Sequence, residues 1–124
     1  MLDTSPLTAA VERFADRLRA APQSRLQQGA AAVALDLARE LSLRAQRLEA
    51  ASAGAGDATG AAPAQTVART MPDAGIFVVG DQLAVAGLDL AEALHAATDT
   101  AKAPSEVLDE AVRLVEQAEA GALR

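Results

Sequence analysis

From Leu7 onward the chain repeats apolar residues at helical spacing: Leu7, Val11, Phe14, Leu18 and Ala21, with Glu12, Arg13, Asp16 and Arg17 between them. Steps of three and four place the first set on one face of a helix and the charges on the other. The pattern predicts an amphipathic helix over residues 6–20, with Ser5 as N-cap, Pro6 at the first helical position and Pro22 as its stop. A second stripe, Leu26, Ala30, Val33, Leu37, Leu41, Ala45 and Leu48, predicts a long helix from Ser24 to about Ala53. At ~1.5 Å per residue that helix is about 45 Å long. Its other face carries Arg25, Asp36, Arg39, Glu40, Arg44 and Arg47, with Glu40 and Arg44 as a favourable i,i+4 pair.

The periodicity then stops. Residues 52–70 are low-complexity Gly, Ala, Pro and Thr, with too little large apolar surface to offset their ordering entropy, so a flexible linker is expected over 54–72. Pro72-Asp73-Ala74-Gly75 is a turn signal, and Ile76-Phe77-Val78-Val79 is the one β-prone cluster. Gly80-Asp81 reads either as a hairpin turn or as a helix N-cap. The cap is favoured, because Leu83, Ala86, Leu90, Leu94 and Ala97 form a helical stripe and an isolated hairpin is marginal in water. Gly87 inside that helix costs about 1 kcal/mol relative to Ala. A last helix runs from Pro104 to about Ala120 on Val107, Ala111, Leu114, Val115 and Ala118, with Glu106 in its first turn and Gly121 as its stop.

These elements predict an all-α fold, a small bundle of about four helices arranged as two helical hairpins joined by a flexible Gly/Ala/Pro linker. Residues 1–53 form the first hairpin and residues 73–124 an acidic second one, the two packing as a single domain. The core is lean: of 124 residues, 33 are alanine and 30 are large and apolar. A core of that size gains from being shared, so a homodimer is expected.

Charge is unevenly placed. Residues 1–53 hold seven arginines against six acids, whereas residues 54–124 hold four bases against eleven acids. The second half repels phosphate and the interleaved acids weaken the arginine face of the first, so nucleic acid is an unlikely partner. The longest uncharged runs are too short to span a bilayer, which takes roughly 20 residues. With no leader or lipidation signal visible, a soluble cytoplasmic protein is expected. The absence of cysteine excludes disulfides, thiolate metal sites and cysteine nucleophiles, and the absence of Trp and Tyr removes the usual stacking platforms.

Motifs for chemistry are few. Glu92, His95 and Asp99 lie on adjacent turns of a helix and supply a carboxylate–imidazole–carboxylate set for a divalent metal; the bland reading, a solvated helix face, carries far more weight. Gly54, Gly56 and Gly60 have the wrong spacing and context for a dinucleotide fingerprint. Gly75 and Gly80 have phosphate-loop spacing, but Asp81 and Gln82 stand where Lys and Ser or Thr are required. None of the five serines sits in a nucleophile elbow. No catalytic residues and no cofactor are expected. The partner-binding candidates are Ile76, Phe77, Val78 and Val79, read either as a plug over the end of the bundle or as a docking segment, and the arginine face Arg39, Arg44 and Arg47. The sequence thus points to a non-enzymatic helical interaction or scaffold protein. The alternatives are a DNA-associated accessory protein using the arginine face and a carboxylate/His metal protein.

Overall fold

The computed structural model describes residues 2–56, 70–97 and 104–123, which form four main helices and, among the described residues, no strand. These are α1 (Ser5–Ala20), α2 (Ala31–Gly56), α3 (Val79–Ala96) and α4 (Pro104–Ala122). The all-α bundle read from periodicity is the architecture found.

In α1 the predicted stripe is buried: Leu7, Val11, Phe14 and Leu18, joined by Ala10 and Ala15. Its N-cap is Thr4 rather than Ser5. The Thr4 hydroxyl does not cap, because it is hydrogen-bonded at 3.1 Å to His95 Nε2 at the far end of α3. The neighbouring Asp3 carboxylate accepts the Ser5 N–H instead, at 3.0 Å. Hydrogen bonds from Ser5, its hydroxyl first and its backbone second, hold the Asp3 carboxyl below its usual pKa. Ala21 is extended (φ −72, ψ 143), the conformation a following proline favours, and α1 ends there.

The expected long helix does not start at Ser24. Gln23–Arg25 makes one turn, Leu26–Ala30 a wider π-turn, and Gly29 lies at φ 132, a backbone region that breaks helical geometry and suits glycine. Continuous helix therefore begins at Ala31 and extends past Ala53 to Gly56, 26 residues in all, or ~39 Å. Its buried line runs through Ala34, Ala38, Leu41, Ala45 and Leu48, and the supposed anchor Val33 is only half-buried.

Most of the expected linker, residues 57–69, lies outside the described residues. Its last two residues are tied to the bundle: Arg39 Nε donates to the Met71 carbonyl and Gln82 Nε2 to the Pro72 carbonyl, both at 2.8 Å. A turn follows in which Asp73 Oδ1 accepts the Gly75 N–H at 3.1 Å and Gly75 adopts φ 103. The next segment is helix rather than hairpin. It starts at Val79 with Val78 at the cap position, so Gly80 and Asp81 lie inside the first turn instead of capping it. α4 continues through Gly121, whose φ is not positive, and so does not stop there.

The main helix–helix contacts run between the two halves of the chain, not within them: α3 packs on α2 and α1, and α4 packs on the same two. One core cluster joins Phe14 and Leu18 of α1, Leu41 of α2, Leu83, Leu90 and Leu94 of α3, and Val107 and Val115 of α4. Both halves of the chain thus contribute to this one core cluster. The pairs Thr4–His95, Val11–Gly87 and Arg19–Asp81 run in opposite order along the two helices, which makes α1 and α3 antiparallel.

Gly87 explains how closely they approach. A Cβ built there would stand 2.7 Å from Val11 Cγ1, inside any real contact distance, and one at Gly80 would stand 3.3 Å from the Ala15 carbonyl. The glycine read from sequence as a helix penalty is what lets α3 reach α1. Gly87→Ala should therefore lose about 1–3 kcal/mol through overpacking, against the gain in helix propensity. In a Val11→Ala background, urea denaturation should show that loss largely removed; equal losses in both backgrounds would separate Gly87 from Val11.

Candidate functional site

The inner side of α3 buries Leu83, Ala86, Leu90 and Leu94 against its neighbours. Its outer side is different. Among the described residues, the exposed large apolar side chains are Phe77 (72%), Val78 (40%), Val85 (52%) and Leu88 (55%), all on α3 or the turn that leads into it. Val78, Val85 and Leu88 are spaced by seven and three, which sets them on one helix face over ~15 Å. Interspersed on the same face are Asp81, Asp89 and Glu92, all exposed, and α3 contains no lysine or arginine. Arg19 reaches over from α1 to Asp81 Oδ1 at 2.7 Å, and that hydrogen bond raises the arginine's already high pKa. Both side chains are largely in solvent, so the pair adds little stability.

The structure divides the sequence candidate Ile76–Val79. Val79 is buried in the core and Ile76 is half-buried against it, whereas Phe77 and Val78 face solvent. Phe77 stands at the mouth of a cavity of about 160 Å³ that it shares with Leu18, Arg19 and Gly80.

The three candidate arginines do not form one open patch. Arg39 is half-buried and donates to the Met71 carbonyl. Arg44 is held between two carboxylates, Glu40 at 2.8 Å on its own helix and Glu110 at 3.0 Å on α4. Arg47 is exposed, and Arg25 is half-buried with an interaction of its own. Of the metal candidates, Asp99 lies outside the described residues and Glu92 is exposed. His95 Nε2 is engaged by Thr4. Among the described residues no three His, Cys, Asp or Glu side chains come together to hold a metal.

A groove of about 300 Å³ lies between the Gly29 kink and the Gly75 turn, walled by Leu26, Leu35, Ile76, Val79 and Gln82. Asp73 at its edge is used in the turn, and no acid–base or nucleophile–base pair converges there among the described residues. Gln82 Oε1 is buried without a hydrogen-bond partner among the described residues, and nothing in the structure explains it.

Two features escaped the sequence reading. Val85 and Leu88 are large apolar residues off the buried stripe of their own helix, a signal visible once the stripe through Leu83, Leu90 and Leu94 is drawn. Glu119 is a buried carboxylate that takes Arg13 Nε at 3.2 Å and Arg17 Nη1 at 3.0 Å. Its position four after Val115 puts a charge on the apolar face of α4, which is the clue it offered.

Comparison with known proteins gives no match among protein-family models, curated proteins or solved structures. No helix among the described residues is long and apolar enough to cross a membrane. The described residues define a small all-α protein of four main helices with one acidic, partly apolar outer face.

The split of the 76–79 segment has a direct check. Phe77→Ala should change unfolding free energy by no more than about 0.5 kcal/mol. Val79→Ala, two residues on, should lose about 1–3 kcal/mol by cavity formation. Comparable losses for the two would return Phe77 to the core.

Proposed function

We propose that this protein is a non-enzymatic interaction module that docks a helical segment of a protein partner on the outer face of α3. One observation carries the reading: the exposed large apolar side chains of the described residues all fall between Phe77 and Leu88. Scattered exposed leucines and valines are ordinary on a protein surface, but a row of them on one helix face is the geometry of helix docking. Phe77, an exposed aromatic at the end of the row, is the type of side chain that anchors interfaces. The arginine face gives the nucleic-acid reading less support, since Arg39 and Arg44 are occupied by internal acceptors.

Site-specific photo-crosslinking in the source cells tests the proposal. A photoreactive residue at Val85 should give a discrete adduct, and one at the exposed Glu116 of α4 should not. Leu88→Lys should abolish the Val85 adduct while leaving the melting curve nearly unchanged, as surface substitutions do. Adducts formed equally from both positions, or an adduct indifferent to Leu88→Lys, would remove the α3 face from consideration.

A further inference from the structure

Charge on the α3 face identifies the kind of helix it fits. Asp81, Asp89 and Glu92 are interleaved with Val78, Val85 and Leu88, and α3 contains no lysine or arginine to balance them. Arg19 neutralises Asp81 from α1, but neither Asp89 nor Glu92 has an ion-pair partner among the described residues. Three other arginines of the first half are committed elsewhere: Arg13 and Arg17 to Glu119, and Arg44 to Glu40 and Glu110.

A second copy of the chain fits this face poorly. Antiparallel pairing about the midpoint of Val85 and Leu88 would join those two well, but would set Asp89 against Ala84 and Glu92 against the already paired Asp81 of the second copy, so α3 of that copy supplies neither acid with a cation. Parallel pairing would set each acid against its own counterpart. Like charges facing across an interface are the ordinary device for rejecting a partner. An apolar row between unpaired carboxylates is instead complementary to an apolar row between lysines or arginines.

We infer that the occupant of this face is a basic amphipathic helix from a different protein, its apolar row on Val78, Val85 and Leu88 and its Lys or Arg side chains beside Asp89 and Glu92. This rests on the docking reading of α3 above and specifies its partner. The apolar contacts supply most of the affinity; the charges select the partner and speed its arrival.

The test uses the full chain and three synthetic, fluorescent, amidated peptides of about 18 residues, roughly five helical turns. One has a leucine row flanked by arginines, the second has glutamates in place of the arginines, and the third is a scramble of the first that destroys the row. The arginine peptide should bind at least about tenfold more tightly than either of the others, and its affinity should fall as salt rises and shortens the Debye length. Asp89→Lys/Glu92→Lys should remove most of that preference. Asp109→Lys/Glu116→Lys, on exposed positions of α4 and with the same change in net charge, should leave affinity within about twofold of wild type.

Equal weakening by the two charge-reversed variants would reduce the effect to the protein's overall acidity and overturn the inference. So would failure of the arginine peptide to bind up to about 1 mM, or sedimentation of the chain alone as a dimer that Leu88→Lys dissociates. If arginine and glutamate peptides bind alike and Leu88→Lys abolishes both, the basic partner is wrong while docking on α3 stands. If the arginine peptide binds and Leu88→Lys has no effect, docking on α3 itself has failed.

Discussion

The close passage of α3 across α1 sets the shape of the whole bundle. α3 has to bury itself against two helices at once, and a wide buried arc is possible on an 18-residue helix only if part of it is nearly bare. Gly80 and Gly87 provide that bare strip toward α1, with Ala91 buried one turn further on, while Leu83, Leu90 and Leu94 fill the rest of the arc. The same economy of side-chain size runs through the core, where alanines such as Ala15, Ala34, Ala38, Ala86 and Ala111 are buried beside the leucines. An alanine contributes little at ~25 cal/mol per Å² of apolar area. Its value here is geometric: backbones come closer, and dispersion contacts are made by the main chain and the neighbouring leucines.

Polar contacts fix the register that small side chains leave loosely specified. The uneven charge of the sequence makes sense in this light, because arginines of the first half meet carboxylates of the second. Arg13 and Arg17 hold Glu119, Arg19 holds Asp81, and Arg44 holds Glu110. Arg17 also donates to the Leu123 carbonyl at 3.0 Å, which secures the end of α4. The exposed members of this set contribute little free energy individually. Glu119 is different, since its carboxylate is buried while its arginines remain half in water. Sliding α4 along α1 would leave that charge buried and unpaired, a penalty of several kcal/mol, so the pair discriminates between registers more than it stabilises.

Much of the fold was legible because helical periodicity survives any detail of packing. The stripes through Leu7 and Phe14 and through Leu83, Leu90 and Leu94 are both buried as read. What periodicity could not carry were features set by local backbone or by neighbours. Gly29 interrupts a stripe that continues smoothly in apolar pattern from Leu26 to Ala30, so the helix looked longer at its start than it is. Ser5 and Gly121 have residue types suited to helix ends, but Thr4 takes the cap position with its hydroxyl turned to His95, and α4 passes Gly121 in helical form. Gly87 carried a local penalty whose reason lies in Val11, seventy-six positions away in the chain. The arginine face looked continuous because sequence does not show that Arg39 and Arg44 turn to Met71, Glu40 and Glu110.

The outer face of α3 is what remains when those internal demands are met. α1 and α2 cover its inner arc, and α4 lies against the same two helices rather than over it. Most arginines of the first half find an internal acceptor, and Asp89 and Glu92 are among the acids that no cation of the described residues joins. A surface serving only solubility would put polar side chains at Val85 and Leu88, because nothing in the fold needs leucine or valine there: both are more than half exposed. Apolar groups that the bundle does not use, beside charges that the bundle does not balance, give that face a chemistry unlike the rest of the described surface. Both kinds of group would be satisfied together by a helix carrying the opposite charge and a matching apolar row, and helix packing into such a row needs no rearrangement of α3 itself.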